Sequence, residues 1–216
     1  AEYNNYPLSD LSLFENLIIG NPFLKGLNVT IPYKESIIHC LDLLDPISSE
    51  IQAVNTIKIT QQSGTHQLIG YNTDAYGFQN SLTEFINSNV NRALILGTGG
   101  ASKAIAYVLK NIGMEFAFVS RSKEKADLTY EELSKDLIFS IDLIINTTPL
   151  GTFPKTNEKP EIPYQYLCEK HYLYDLVYNP PQTAFLKEGV KRKAKTRNGY
   201  KMLVLQAENS WEIWNT

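Results

Sequence analysis

The feature that most constrains the fold is an apolar run, a glycine cluster and an amphipathic segment in direct succession. Residues 92–96 are typical of a buried strand, and four residues, Gly97, Thr98, Gly99 and Gly100, follow it. From Ala101 to Ile112 the apolar residues recur at helical spacing, which predicts a helix buried on one face. A strand, a glycine turn and a helix N terminus together bind a dinucleotide pyrophosphate, because the backbone approaches closely and the first N–H groups attract an anion. We therefore predict cofactor contacts along 97–101, although Ser102 occupies the last glycine position of the fingerprint.

The end of the next predicted strand indicates which dinucleotide is bound. NAD sites place Asp or Glu there, about 20 residues beyond the first glycine, to accept hydrogen bonds from the ribose. Here the strand ends in Ser120 and Arg121, and Lys125 follows shortly after. A solvated basic turn is the simpler interpretation, but a guanidinium at this point suits bidentate contact with a 2′-phosphate. We predict NADP, held by Ser120, Arg121 and Lys125.

Short β-like runs alternate with helical stretches along the chain, which favours an α/β fold with a mostly parallel sheet. Before residue 89 we expect a strand at 26–30, a helix at 33–44, a hairpin of 53–59 and 66–71 turning at Ser63–Gly64, and a helix from 72 to about 87. Beyond it we expect strands at 92–96, 116–120, 142–146 and 172–176, and a last helix at 200–214. The polar stretch 87–91 separates an α/β substrate domain (1–88, with 200–216 returning to it) from a Rossmann-type domain (89–199).

Charge and cysteine usage exclude several classes of protein. The formal net charge of −3 gives no reason to expect a nucleic-acid or membrane partner. Apolar runs fall short of the roughly 20 residues that span a bilayer, and residues 1–5 do not resemble a secretory signal. Cys40 and Cys168 form no CxxC, and the three histidines lie apart in the sequence, so no metal is expected. We expect a cytoplasmic protein.

Seven segments, in order, closely resemble shikimate dehydrogenase. They are 28–34, 53–56, 70–77, 97–102, 145–151, 175–180 and 199–206. The resemblance implies NADPH-dependent reduction of 3-dehydroshikimate to shikimate, a step of aromatic amino-acid (chorismate) biosynthesis, by a monomer or homodimer. It assigns Lys34 and Asp74 as the catalytic pair. Both follow predicted strands, where an ammonium could stabilise and protonate a carbonyl oxygen and a carboxylate could orient it. The structural alternatives are an exposed lysine and a residue that interacts with a helix dipole.

The resemblance also implies further contacts. Thr30, Asn55, Tyr178 and Gln206 are expected at the substrate, and Thr147, Thr148 and Gly199 at the cofactor. The sequence departs from the family at Ser120 and Ser122, where Asn and Thr are common around the arginine, and at Thr152, where Met is common.

Two other functions stay open at this point. One is a quinate/shikimate dehydrogenase paralogue that uses NAD, and the other is a non-catalytic regulatory protein that binds a dinucleotide on the same fold. The family also carries a Ser-x-Ser pair on an N-terminal strand and loop, which Ser9 and Ser12 do not match. We therefore expect roughly 25–35 further residues before Ala1, the length of a strand, a loop and a helix of ordinary size.

Overall fold

A computed structural model describes residues 2–62 and 65–216. The chain packs as two units, Ala1–Asn72 with Ser210–Thr216, and Thr73–Asn209. The predicted hairpin turn at Ser63–Gly64 lies outside the described residues. None of the helices in the described ranges is long and apolar enough to cross a membrane.

The first unit is built on a four-stranded sheet. Its elements are α1 (Phe14–Gly20), β1 (Gly26–Asn28), β2 (Leu43–Leu44), α2 (Pro46–Ile51), β3 (Thr56–Gln62) and β4 (Thr65–Tyr71). The strand order is β1-β3-β4-β2, in which β3 is antiparallel to both neighbours and β2 is parallel to β4. Phe14, Ile18, Ile37, Val54 and Ile57 form its apolar core. The predicted hairpin is confirmed, with both strands slightly shifted toward the turn.

The helix predicted at 33–44 is wrong. Only a short 3₁₀ helix forms there, at Ser36–Cys40, and the chain then becomes strand β2. The backbone of Asp42 donates to the Leu68 carbonyl at 3.0 Å, and its carboxylate accepts the Leu68 N–H at 2.7 Å. Because Pro46 disfavours helical geometry at the preceding residue, Asp45 is extended and caps α2 instead. Pairing with β4, a long-range interaction, therefore overrides the local helical periodicity.

The second unit is the predicted parallel α/β layer, and this prediction is confirmed. Its elements are α3 (Thr73–Thr83), β5 (Arg92–Leu96), α4 (Gly100–Asn111), β6 (Glu115–Ser120), β7 (Leu128–Thr129), α5 (Lys135–Ser140), β8 (Leu143–Asn146), β9 (Tyr172–Asp175), α6 (Ala184–Lys191), β10 (Lys195–Arg197) and the part of α7 (Tyr200–Asn215) that precedes Ser210. Six parallel strands run in the order β10-β9-β8-β5-β6-β7. The side chains of β8 and β9 are buried throughout, as expected for strands covered on both faces.

Helix α7 returns to the first unit at its C-terminal end. The Trp214 indole Nε1 donates to the Ile57 carbonyl at 2.9 Å, and the hydroxyls of Ser210 and Thr56 lie 2.8 Å apart. This confirms the predicted return of the last helix. Helix α3, which the sequence assigned to the first domain, packs in the second unit. The functional boundary near residue 89 stays a prediction.

Candidate active site

The turn after β5 requires glycine. Gly97 has a φ of +110°, in the left-handed region that side chains rarely adopt. A Cβ added there would lie 2.7 Å from the Thr147 hydroxyl oxygen, so the turn also has no room for a side chain. The Gly97 N–H donates to the Val119 carbonyl of β6 at 2.9 Å. The turn is thus held against β6 and the loop that follows β8.

The N terminus of α4 is open toward solvent. Gly99 is its N-cap, with no capping side chain from the described residues, and a Cβ placed there meets no atom within 4 Å. Ser102 is buried in the first turn, and its hydroxyl donates to the Gly99 carbonyl at 2.6 Å. This small side chain permits close packing at the last glycine position. Because the first N–H groups of a helix lack intrahelical partners, the loop fits a pyrophosphate.

The basic turn after β6 leaves one arginine exposed. Lys123 contacts both carboxylate oxygens of Glu132 at 2.7 Å, and this contact keeps the pKa of Glu132 below its ordinary value. Arg121 and Lys125 are exposed, and Ser120 is half-buried at the strand end. Burial raises the pKa of the Tyr130 phenol, and the positive charge of Arg121 opposes that rise. The residues at this strand end fit a 2′-phosphate better than a bare ribose.

The predicted threonines after β8 lie beside the glycine turn. The Thr147 hydroxyl donates to the Leu96 carbonyl at 2.7 Å. The Thr148 N–H and hydroxyl both donate to the Asn146 side-chain oxygen, at 3.0 and 2.6 Å. The structure therefore brings Thr147 and Thr148 together with Gly97 at the carboxyl edge of the parallel sheet, where ligands bind in such folds.

Sequence reasoning missed a buried polar network at this edge. Asn146, Asp175 and Thr183 are all fully buried. Asn146 donates to one Asp175 oxygen at 2.9 Å, and the Thr183 hydroxyl donates to the other at 2.5 Å. Burial raises the pKa of Asp175 to about 6, against the opposing effect of these hydrogen bonds. The available signal was a single polar residue closing each of two apolar strands, LIIN and YLYD.

In the first unit, backbone hydrogen bonds gather three of the predicted substrate-site residues. Lys34 is half-buried in the turn before the 3₁₀ helix, and its carbonyl accepts the Val54 N–H at 2.7 Å. Asn55, which follows Val54, is buried, and its carbonyl accepts the N–H of Val29 at 2.8 Å. Thr30 follows Val29 and is exposed. Lys34, Asn55 and Thr30 are thus held at the adjoining ends of β1 and β3.

In the second unit, α3 carries Asp74 in its first turn, where this side chain is buried. The Thr73 hydroxyl donates to the Gln206 side-chain oxygen of α7 at 3.3 Å. A Cβ at Gly77 would lie only 2.7 Å from the Met202 carbonyl oxygen, so the two helices approach closely. Asp74 and Gln206 therefore lie on packed helices of one unit, whereas Lys34 belongs to the other unit.

Tyr178 and Gly199 are also brought together. Tyr178 is 44% exposed, and the carbonyl of its neighbour Val177 accepts the Gly199 N–H at 3.3 Å. A Cβ on Gly199 would lie 2.0 Å from the Leu176 carbonyl oxygen, which explains the glycine.

Among the described residues, no group of three or more His, Cys, Asp and Glu side chains could hold a metal ion. His171 is a buried core residue whose Nδ1 accepts the Cys168 N–H at 3.0 Å and whose Nε2 lies 3.1 Å from the Ile138 carbonyl oxygen.

Known proteins resemble both the sequence and the fold. Residues 9–57 match the family model described as the shikimate dehydrogenase substrate binding domain. A shikimate dehydrogenase (NADP⁺) of Caldicellulosiruptor saccharolyticus is 39% identical, over 99% of this chain and 81% of that protein. The corresponding protein of Methanococcus maripaludis strain C7 is also 39% identical, over 98% and 80%. The crystal structure of shikimate 5-dehydrogenase from Thermus thermophilus, in complex with NADP(H) and shikimate, has a TM-score of 0.82 at 30% identity, covering 97% of this chain and 79% of that one. The chain belongs to the shikimate dehydrogenase family.

Proposed function

We propose that the protein reduces 3-dehydroshikimate to shikimate with NADPH, and catalyses the reverse oxidation with NADP⁺. The observation that carries this proposal is the open glycine turn at the N terminus of α4, in a member of this family. Arg121, exposed at the end of the neighbouring strand, supports the choice of NADP over NAD.

The residues around the turn fit the cofactor. Bound NADPH supplies the hydride. The N–H groups along 97–101 would hold its pyrophosphate, and the Arg121 guanidinium its 2′-phosphate, with Ser120 and Lys125 beside it. Thr147, Thr148 and Gly199 would line the remainder of the cofactor site.

The reaction needs a proton donor at the substrate carbonyl. As the ketone is reduced, negative charge develops on its oxygen, and the Lys34 ammonium would stabilise that charge and donate the proton. The Asp74 carboxylate would orient the ammonium and the neighbouring hydroxyl. Thr30, Asn55, Tyr178 and Gln206 would bind the substrate hydroxyls and set its position. Binding at several polar points favours one orientation of the ring, which raises the rate by proximity.

Location and assembly complete the proposal. Cys40 and Cys168 are both free thiols, which fits a reducing compartment, so we propose a cytoplasmic enzyme. We propose that it acts as a monomer or a homodimer.

A steady-state assay separates this function from its alternatives. Shikimate and quinate are each tested with NADP⁺ and with NAD⁺, and binding of NADP⁺ is measured by calorimetry. We expect kcat/KM to be highest for shikimate with NADP⁺, by at least about tenfold, because only NADP⁺ carries the 2′-phosphate that Arg121 would bind. Preference for quinate with NAD⁺ would support the paralogue. NADP⁺ binding without turnover of either substrate would support the regulatory protein.

A further inference from the structure

A buried carboxylate outside the proposed mechanism lies at the end of β9. Asp175 is fully buried, and its two oxygens accept hydrogen bonds from neutral donors. Oδ1 accepts from Asn146 Nδ2 at 2.9 Å and from the Val177 N–H at 3.0 Å, and Oδ2 accepts from the Thr183 hydroxyl at 2.5 Å. Because burying a carboxylate opposes folding, an apolar residue would serve the core better if packing were its only role here.

The carboxylate makes the shorter of two contacts that orient the neighbouring amide. An ionised carboxylate only accepts hydrogen bonds, so Asn146 turns Nδ2 toward Asp175, at 2.9 Å, and the same nitrogen lies 3.5 Å from the Leu150 carbonyl oxygen. Its Oδ1 then faces Thr148 and accepts from both the N–H, at 3.0 Å, and the hydroxyl, at 2.6 Å. The Thr148 oxygen in turn accepts the Leu150 N–H at 3.3 Å. The orientation of the loop at 147–150 thus depends on a carboxylate that lies on the neighbouring strand.

Asp175 Oδ1 also holds a second segment of the chain. Its bond to the Val177 N–H fixes the backbone immediately before Tyr178. The Val177 carbonyl accepts from Gly199, which begins the turn into α7. Oδ2 faces away from both segments toward Thr183, whose hydroxyl caps α6 by accepting the Leu186 N–H.

We propose that Asp175 is a positioning residue that acts on cofactor and substrate through two separate hydrogen bonds, one to Asn146 and one to Val177. The bond to Asn146 orients the loop at 147–150 toward the cofactor, and the bond to Val177 places Tyr178 toward the substrate. This inference rests on the proposed function, since the loop and Tyr178 act in that site.

The first experiment removes both acceptor oxygens and keeps a side chain of similar size. In Asp175→Leu, the Asn146 amide and the Val177 N–H both lose their acceptor, so neither segment is held in place. We expect the calorimetric Kd for NADP⁺ and the KM for shikimate each to rise about tenfold at pH 8, where a group with a pKa of about 6 is ionised in the wild type.

Exchanging the residues at 146 and 175 tests separately the two hydrogen bonds of Asp175, to Asn146 and to Val177. In the double variant Asn146→Asp with Asp175→Asn, the carboxylate at 146 still accepts both bonds from Thr148 and the amide at 175 donates to it. The new amide NH₂ at position 175 then faces the Val177 N–H. Two donors meet there, so the hydrogen bond of Val177 is lost. We expect the NADP⁺ Kd to return to within about threefold of the wild type while the KM for shikimate stays raised. Should Asp175→Leu fail to fold, the double variant is compared directly with the wild type for the same two quantities.

Thr183→Val provides the control for lost stability. It removes the bond to Oδ2 and the cap of α6 but leaves the bonds to Asn146 and Val177 intact. The urea concentration at the unfolding midpoint should therefore fall, while the NADP⁺ Kd changes less than twofold. The inference is overturned if Asp175→Leu leaves both the NADP⁺ Kd and the KM for shikimate unchanged, or if the exchange leaves the NADP⁺ Kd raised. Because NADP⁺ binding is measured without substrate, wild-type protein that binds NADP⁺ but does not oxidise shikimate counts against the proposed function alone.

Discussion

At the scale of single residues, neighbours orient the side chains of the proposed site. The Thr56 hydroxyl donates to the Asn55 side-chain oxygen at 3.3 Å, which directs the amide nitrogen to the opposite side. Thr73 does the same for Gln206. In both pairs the residue proposed to contact substrate has an adjacent partner that selects one of its two amide orientations. Such preorganisation is what a site needs to bind one arrangement of hydroxyls.

Lys34→Ala should lower kcat by roughly 10²–10⁴, because the proton donor acts mainly in the transition state. The Kd for NADP⁺ should stay within about twofold, since the residues proposed to contact the cofactor lie elsewhere in the chain. Stopped-flow and steady-state rates at saturating shikimate test this, with Lys25→Ala, an exposed lysine of the same unit, as the control. Near-normal turnover of Lys34→Ala would remove it from the mechanism.

Arg121→Ala should weaken the binding of NADPH by about 1.5–3 kcal/mol, the usual contribution of a hydrogen bond to a charged group. The binding of NADH should stay nearly unchanged. Only NADPH carries the 2′-phosphate. The measurement is the ratio of kcat/KM values for the two cofactors. Lys123→Ala is the matched control, because Lys123 is already paired with Glu132. Equal weakening toward both cofactors would show that Arg121 does not discriminate between them.

At the scale of elements, α7 closes the first unit by packing over β1 and β3. The Trp214 indole reaches the Ile57 carbonyl only because Gly26 has no side chain. A Cβ on Gly26 would lie 2.1 Å from Trp214 Nε1 and 2.5 Å from the Ile57 oxygen. The end of α7 and the first strand are therefore fitted to each other.

Gly26→Ala should destabilise the first unit by about 1–3 kcal/mol, the range for overpacking a tight contact. Urea unfolding followed by tryptophan fluorescence is the direct measurement, since both tryptophans lie on α7. Gly20→Ala, where an added Cβ meets nothing within 4 Å, is the control and should be neutral or slightly stabilising. Equal midpoints for the two variants would contradict this view of α7.

At the scale of the whole molecule, stability depends on a charge buried in the parallel sheet. Asp175 has a pKa of about 6 in the folded protein against an ordinary value of 3.8. The folded state therefore holds this proton more tightly than the unfolded state does. Tyr164 lies close enough to interact with the Asp175 charge, but burial raises the pKa of its phenol, so it does not titrate between pH 4 and pH 7. The stabilisation from the bound proton is present below about pH 4 and is lost as the pH rises through about 6.

Comparing the wild type with Asp175→Asn isolates this effect. Because one pKa unit corresponds to about 1.4 kcal/mol, the wild-type free energy of unfolding should fall relative to the variant by about 2.4 kcal/mol between pH 4 and pH 7. Urea titrations of both proteins at several pH values measure the difference. A difference that stays constant over this range would mean that Asp175 keeps an ordinary pKa in the fold.

The sequence alone was sufficient for the elements whose signals are local. β5, the glycine turn, α4 and α7 were predicted nearly to the residue, because helical periodicity, continuous apolar runs and glycines act within a few positions. The α/β class and a mostly parallel sheet followed from the alternation of strands and helices. For the same reason, the positions of Gly97 and Arg121 at strand ends could be predicted from the residues around them.

The tertiary structure decided what depends on distant partners. Residues 37–44 have helical spacing, yet 43–44 form a strand because β4, distant in the sequence, offers backbone hydrogen bonds. Asp175 contacts Asn146 across neighbouring strands 29 positions apart. The sequence shows both as polar residues that close apolar strands, but not which oxygen accepts from which donor. That choice requires the register of β8 against β9, since the strand pairing brings the two side chains within hydrogen-bonding distance.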